Sequence, residues 1–210
     1  GSEGEAAGEF REPAGIDLAG DGSLAVADTW NGRIQVLRPN GETEVFGSPL
    51  FGPRDLKWAP DGSLLVADTG NRRLLRFTPP KWEVETIAEL PGPPVGLEWA
   101  AGLIAVAVPA DGATLLIDAT DGSIVRRIEL PCWGSRDQQE GYLALLPSGN
   151  LVASSPASGE LWIVDPTGER QPRLVHDGLA GITAISLTPV GDLLASLTWE
   201  HRLVRVPIED

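Results

Sequence analysis

The sequence is short of cysteine, methionine, lysine and histidine. Its 210 residues include one cysteine, no methionine, two lysines and two histidines. The single cysteine, Cys132, excludes an intrachain disulfide and leaves the redox character of the compartment open. The histidines, His176 and His201, form no His-x-x-x-His or Glu-x-x-His pair, so no zinc-binding motif of that kind is present.

Long apolar runs are also missing. No apolar stretch approaches the roughly 18 residues of a membrane-spanning helix, and no signal peptide is recognisable. No window has an apolar stripe with helical spacing over three turns. Glycine (25 residues) and proline (18 residues) instead interrupt the whole chain, which is typical of short strands joined by turns. We therefore expect an all-β protein.

Positive charge is scarce. The formal net charge is −14 and the isoelectric point is near 4.5. Nucleic-acid binding depends on basic side chains that displace counterions from phosphates, and the arginines here lie within strand patterns and form no run. We expect no nucleic-acid partner.

A repeated segment is the strongest feature of the sequence. Residues 13–37 read PAGIDLAGDGSLAVADTWNGRIQVL, and residues 53–77 read PRDLKWAPDGSLLVADTGNRRLLRF. Pro, Asp-Gly-Ser, Leu, Val-Ala-Asp-Thr, Asn and Arg recur in register. Three fainter copies follow at residues 104–117, 151–164 and 193–206. Such internal repeats decide the architecture before any single motif does.

The period of the repeat predicts a β-propeller. Equivalent positions recur after 40, 40, 47 and 42 residues, which is typical of four-stranded antiparallel propeller blades. We predict one all-β domain of about five blades, with six as the alternative, and a last blade that lacks its outer strand. The expected blades span residues 13–50, 51–91, 92–131, 141–177 and 178–210. Residues 1–12 are expected to be a tag remnant and an N-terminal lead-in without a strand.

The first two copies resemble the NHL repeat. The first contains Pro-x-Gly-Ile, Asp-Gly, Val-Ala-Asp-Thr-x-Asn and Arg-Ile-Gln-Val, and the second contains VADTGNRRLLRF. The resemblance covers about residues 10–90. Later copies match only in strand pattern and spacing, because Ala-Asp-Thr is replaced at residues 107–109, 154–156 and 196–198.

The NHL resemblance implies a β-propeller, most often of six blades, but no single activity. NHL-like propellers serve as protein-binding or RNA-binding modules and as sensor ectodomains of bacterial membrane proteins. Related folds include metal-dependent lyases and lactonases. Because one fold supports many functions, the function must be inferred from a site.

The motif Asp-Thr-x-Asn, at residues 28–31 and 68–71, has two interpretations. Carboxylate and amide oxygens are ligands for hard cations such as Ca²⁺. The same residue types also satisfy the backbone of a tight turn at a strand end. We favour the structural role, because consecutive blades would hold the two copies far apart around a ring, and we expect no cofactor.

Catalytic groups are not evident. Ser154-Ser155 lies in no Gly-x-Ser-x-Gly elbow. Cys132 has no histidine near it in the sequence, so we interpret it as a packed apolar residue. A Ca²⁺ or another divalent ion at the channel mouth is the alternative to a cofactor-free domain. Its candidate ligands are Glu12, Asp55, Glu98 and Glu140.

Several aromatic and arginine side chains lie in the links, the loops that connect one strand or one blade to the next. In NHL-like propellers, the link between the second and third strands and the link between blades emerge on one face, around the channel mouth. Tryptophan and arginine are enriched at binding hot spots, and the insertion at residues 131–140 lengthens one link. The alternative is that each tryptophan covers the end of its own blade. The candidate ligand-binding residues are Trp30, Phe51, Arg54, Trp133, Arg136 and Trp199, and Phe10, Arg11 and Glu12 lie in the same set of links.

The sequence favours a non-enzymatic domain that binds a protein, a peptide or a small molecule through this loop face. We expect it to be an extracytoplasmic domain of a larger, membrane-anchored bacterial protein, without direct membrane insertion of its own. One alternative is a metal-dependent lactonase or lyase-like enzyme that acts at the channel mouth. Another is a structural module that oligomerises through an incomplete last blade.

Overall fold

A computed structural model describes residues 1–47, 50–134, 140–188 and 190–208. These residues form strands and four single-turn 3-10 helices, with no α-helix and no helix long and apolar enough to cross a membrane. Five antiparallel sheets follow one another along the chain, four with four strands and one with three. The protein is therefore an all-β, five-bladed propeller, which confirms the predicted fold class.

The chain divides into two compact units, Gly1–Pro94 and Val95–Asp210. The first unit holds an N-terminal strand pair, blade 1 and blade 2. Its strands are β1 (Ser2–Glu3), β2 (Glu9–Phe10), β3 (Ile16–Leu18), β4 (Leu24–Asp28), β5 (Arg33–Leu37) and β6 (Thr43–Phe46), then β7 (Asp55–Trp58), β8 (Leu64–Asp68), β9 (Arg73–Thr78) and β10 (Glu83–Glu89). Blade 1 consists of β3 to β6 and blade 2 of β7 to β10, each strand paired with its neighbour in sequence.

Asp-Gly-Ser turns join the first and second strands of both of these blades. Gly22 and Gly62 have φ values of 84° and 83°, a region that glycine enters without steric cost. The carboxylates of Asp21 and Asp61 accept hydrogen bonds from the amides two residues later, each at 2.9 Å. The Asp-Gly pairs thus form tight turns in both blades.

An apolar cluster joins the two blades of the first unit. Blade 1 contributes Ala25, Ala27, Ile34 and Val36, and blade 2 contributes Leu56, Leu64, Val66, Leu75 and Phe77. Burial of each large aliphatic or aromatic side chain stabilises the fold by about 1.5–3 kcal/mol. At the perimeter, the ring of Trp82 stacks on Phe46 with centroids 4.1 Å apart. Trp82 itself directly precedes β10.

The N-terminal segment is more ordered than expected. Strands β1 and β2 pair in parallel, and the segment between them is bound to blade 1. The guanidinium of Arg33 donates to the carbonyls of Glu5, Ala6 and Glu9 at 2.6, 2.9 and 3.1 Å. The expectation of no strand in residues 1–12 is thus wrong, because a two-residue strand leaves no hydrophobic pattern in the sequence.

The second unit contains three blades. Blade 3 has β11 (Gly96–Ala100), β12 (Leu103–Val108), β13 (Ala113–Ile117) and β14 (Ile124–Glu129). Blade 4 has β15 (Leu143–Leu145), β16 (Leu151–Ser155), β17 (Glu160–Val164) and β18 (Arg173–His176). Blade 5 has β19 (Ile182–Leu187), β20 (Leu193–Leu197) and β21 (Arg202–Val206). Apolar clusters join blade 3 to blade 4 and blade 4 to blade 5. Among the described residues blade 5 has three strands, so the prediction of an incomplete last blade is confirmed.

Candidate ligand-binding surface

A tight turn after the second strand presents the first candidate residue. In blade 1 a 3-10 helix, Thr29–Asn31, follows β4, and Gly32 then adopts a left-handed conformation with φ 60°. In blade 2 the same turn is Thr69–Asn71, with Arg72 at φ 54°. The middle residue of the turn is exposed in both blades. That residue is Trp30 in blade 1 and Gly70 in blade 2.

The motif aspartate of blade 1 is a buried hydrogen-bond centre. One carboxylate oxygen of Asp28 accepts from the backbone N–H of Arg11 at 2.8 Å. The other accepts from side-chain nitrogens of Asn31 (2.8 Å), Arg33 (2.7 Å) and Gln35 (2.9 Å). Burial acts to raise the pKa of Asp28, but these hydrogen bonds outweigh it and lower the pKa below its usual value.

Asp68 repeats this arrangement in blade 2. Its carboxylate accepts from the backbone N–H of Phe51 at 2.8 Å, and from Asn71 and Arg73 at 2.9 and 2.8 Å. In both blades the aspartate therefore connects two segments by hydrogen bonds. One is the link that precedes the blade, and the other is the turn that follows the second strand. These contacts agree with the structural interpretation of the Asp-Thr-x-Asn motif.

The motif threonine binds the next link. The hydroxyl of Thr29 donates to the carbonyl of Pro53 at 2.8 Å, and the hydroxyl of Thr69 donates to that of Pro94 at 2.7 Å. Aspartate and threonine therefore hold the links on both sides of each turn. The sequence indicated a turn at this motif but not these contacts between links.

Trp30 lies at a pocket of the first unit. The pocket has a volume of about 720 Å³, and its walls include Trp30, Phe10, Arg11, Glu12 and strand β1. Trp30 is 70% exposed, and its backbone N–H donates to the carbonyl of Arg11 at 3.1 Å. The structure thus brings together four of the link residues that the sequence singled out. The contribution of strand β1 to the pocket wall was not predicted, since residues 1–12 were expected to hold no strand.

The chemistry of the pocket is mixed. The indole face of Trp30 can stack on an apolar or aromatic group, and the guanidinium of Arg11 can bind an anionic one. Arg11 forms an exposed ion pair with Glu5 at 3.2 Å, a kind of pair that contributes little and exchanges readily. Glu12 has φ 44°, a strained value for a residue with a side chain, and such strain is often found at functional sites.

Phe51 and Arg54 lie in the link between blades 1 and 2. Phe51 is 68% exposed, and its ring lies so close over Gly70 that a side chain there would collide with it. The link also follows the Trp30 turn, because the Leu50 amide donates to the carbonyl of Gly32 at 3.1 Å. Arg54 is half-buried. The turn and the link place two exposed aromatic residues on neighbouring segments.

Trp199 occupies the equivalent turn of blade 5. This 3-10 helix is Thr198–Glu200, and His201 is left-handed with φ 52°. Trp199 is 72% exposed, and its ring lies against Gly181, where an added Cβ would come within 2.8 Å of the indole. It is an exposed aromatic residue of the second unit.

Trp133 is placed differently from the other candidates. It is only 7% exposed and belongs to the cluster between blades 3 and 4. Its indole N–H donates to the carbonyl of Ser154 at 3.2 Å. This corresponds to the alternative in which a tryptophan covers its own blade, and we leave Trp133 out of the binding surface. Arg136 lies outside the described residues.

Cys132 and the candidate metal ligands have local partners. Burial, with a smaller effect of Glu160, raises the pKa of the Cys132 thiol to about 12. The carboxylates of Asp55 and Glu98 accept hydrogen bonds from the amides that follow them, at 2.9 and 3.1 Å. Within the described ranges, no three His, Cys, Asp or Glu side chains are grouped as metal ligands.

Comparison with known proteins assigns the first copy of the repeat to a family. The sequence profile of the NHL repeat matches residues 10–37, the segment that contains the Trp30 turn. The protein is a β-propeller that carries an NHL repeat. No curated protein is similar enough in sequence to match the chain.

Several solved structures share the fold of this NHL-repeat propeller. Virginiamycin B lyase from Staphylococcus aureus is 17% identical with a TM-score of 0.75, over 94% of this chain and 70% of that one. A candidate gluconolactonase is 18% identical with a TM-score of 0.70, over 91% and 73%. A chain of a nidogen–laminin complex is 12% identical with a TM-score of 0.73, over 92% and 74%. At these identities the likeness concerns the fold alone, and both binding and enzymatic roles occur among such neighbours.

Proposed function

We propose that this propeller is a non-enzymatic binding domain, and that its first unit binds a protein, a peptide or a small molecule. The contact surface consists of Trp30, Phe51, Arg54 and Arg11. The observation that carries the proposal is the 720 Å³ pocket beside the exposed indole of Trp30. A concave site with an exposed aromatic wall and a few polar groups is the usual form of a ligand site.

Hydrogen bonds within the chain hold the turn and the links in place. Asp28 holds the Arg11 amide at 2.8 Å, and Thr29 holds the Pro53 carbonyl at 2.8 Å. A surface that is ordered in advance loses less conformational entropy on binding. The two exposed aromatic residues, Trp30 and Phe51, supply large apolar area with few rotatable bonds, which favours affinity.

The proposal is tested by selection of peptides that bind the full chain from a displayed random library. Peptides that bind the wild-type chain should bind Trp30→Ala at least about tenfold more weakly, as expected for an aromatic hot spot. Val84→Ala is the matched control, since Val84 is an exposed apolar residue of the same unit and lies on β10, outside the turn. Equal binding to both variants would reject the Trp30 surface.

An enzymatic role is supported by a different observation. Structural neighbours include a lyase and a candidate gluconolactonase, and Glu12 of this chain lies at the pocket. Hydrolysis of simple lactones by the purified chain in the presence of Ca²⁺, abolished by a chelator and by Glu12→Gln, would favour this alternative. The binding proposal expects no such turnover.

A further inference from the structure

The pocket beside Trp30 carries negative charge that has no partner. Its walls include three charged side chains, those of Glu3, Arg11 and Glu12. The Arg11 guanidinium lies 3.2 Å from the carboxylate of Glu5, so its charge is already matched. Glu3 and Glu12 are both exposed, and their carboxylates have no hydrogen bond or ion pair among the described residues. These two carboxylates are therefore free to bind a positively charged group.

Aromatic rings lie at the same pocket. Trp30 is 70% exposed, and Phe10 is half-buried and also lines the pocket. The face of an aromatic ring attracts an ammonium or guanidinium group, and tryptophan does so most strongly. A neutral ligand could use the rings but would cover the carboxylates without giving them a partner, which costs free energy. Rings and carboxylates together favour a cation.

An anionic ligand fits this pocket less well. To reach the guanidinium of Arg11 it would have to displace Glu5. It would then lie near the free carboxylates of Glu3 and Glu12, and like charges in contact disfavour binding. The formal net charge of the chain is −14, which attracts cations over a longer range and disfavours a second copy of this chain as the occupant.

The exposed apolar surface extends to the link that follows the Trp30 turn. The Leu50 amide of this link donates to the carbonyl of Gly32 at 3.1 Å, and Phe51, the next residue, is 68% exposed. Trp30 lines the pocket, whereas Phe51 is not part of its walls. A single small cation would contact the pocket alone. A polypeptide segment can place one side chain in the pocket and a flanking residue on Phe51.

We propose that the Trp30 pocket binds an arginine or lysine side chain from a basic segment of a partner protein. The cationic group pairs with the carboxylates of Glu3 and Glu12, and its aliphatic stem packs on the indole of Trp30. Flanking residues of the segment contact Phe51. This inference rests on the binding surface proposed above and adds the chemical class of the partner.

The first test selects peptides against the full chain from two displayed libraries of nine-residue peptides. One library has arginine fixed at the central position, the other has glutamate there, and all other positions are random. Peptides whose binding is lost with Trp30→Ala should come from the arginine library at least about tenfold more often, as expected for a cation held by an aromatic ring. Their binding should weaken as salt is raised.

The second test removes each charge of the pair separately. Citrulline in place of the central arginine keeps the shape of the side chain without its charge, and it should weaken binding to the wild-type chain at least about tenfold. Glu12→Gln should weaken the arginine peptide similarly but change the affinity of the citrulline peptide little, which also shows that the variant is folded. Glu42→Gln removes the same charge from an exposed site between β5 and β6 and should bind as the wild type does.

The outcomes separate this inference from the binding role on which it rests. If neither library yields a peptide that depends on Trp30, the Trp30 surface is rejected and the cationic partner with it. If such peptides come equally from both libraries, or mainly from the glutamate library, the surface stands and the cationic partner is rejected. Unchanged affinity with citrulline, or equal loss in Glu12→Gln and Glu42→Gln, would also overturn the inference.

Discussion

At the residue scale, Asp28 shows how a charge is kept inside the first blade. Its carboxylate is fully buried, yet it is ionised because four donors surround it. Hydrogen bonds to a charged group are stronger than those between neutral groups. The carboxylate thereby fixes the backbone of Arg11 and the start of the pocket wall.

Asp28→Asn should lower the free energy of unfolding by about 3 kcal/mol, because Arg33 loses its buried partner and the new amide N–H₂ faces donors. Chemical denaturation measures this, with the exposed Glu42→Gln as control.

The pKa of Asp28 is lowered in the folded state, so its stabilisation is present above about pH 4 and is lost as the pH falls through the folded pKa. The variant should therefore lose less stability than the wild type on acidification.

Trp133→Ala should destabilise the chain by about 3–5 kcal/mol, because it leaves a cavity between blades 3 and 4 and removes the hydrogen bond to Ser154. Trp30→Ala is the matched control and should change stability by less than about 0.5 kcal/mol, since its indole is exposed. Equal Tm values for the two variants would contradict the burial of Trp133.

Only part of this residue detail could be predicted. The turn residues follow from the Asp-Gly and Asp-Thr-x-Asn patterns, because their short-range hydrogen bonds depend on local sequence. Gln35 was a visible signal, since it stands where the second copy has the apolar Leu75. The burial of Trp133 and the exposure of Trp30 depend on packing between blades, and the sequence left both alternatives open for the tryptophans in the links.

At the scale of elements, each Asp-Thr-x-Asn turn of the first unit connects two links and two strands. The threonine hydroxyl reaches forward to the next link, while the aspartate holds the previous one. The turn therefore sets both the position of its own middle residue and the path of the link beside it. In blade 1 these are Trp30 and the segment that contains Phe51.

Thr29→Val and Thr69→Val should each lower the free energy of unfolding by about 1 kcal/mol, because valine keeps the shape but leaves a proline carbonyl without its donor. Thr86→Val on the perimeter strand β10 serves as the control. Thr29→Val should also weaken binding at the Trp30 surface, since the Phe51 link loses a contact with the turn. If Thr29→Val lowered stability without weakening binding, the contact between the turn and the Phe51 link would not contribute to the binding surface.

At the scale of the whole molecule, the repeat made the fold predictable and the function much less so. Five copies at a regular period led directly to five sheets, because each copy contains the strands and turns of one blade. Differences between copies carry the candidate sites. Trp30, for example, stands where the second copy has Gly70. The sequence shows this difference, but the exposure of Trp30 and the pocket beside it needed the structure.

Calorimetric titration of a selected peptide into the wild-type chain and into Trp30→Ala tests the binding role most directly. The binding proposal predicts a saturable heat with the wild type and at least about tenfold weaker binding with the variant, at unchanged Tm. Val84→Ala should bind as the wild type does. Equal affinity of the wild type and Trp30→Ala would contradict the proposal that the Trp30 surface is the ligand site.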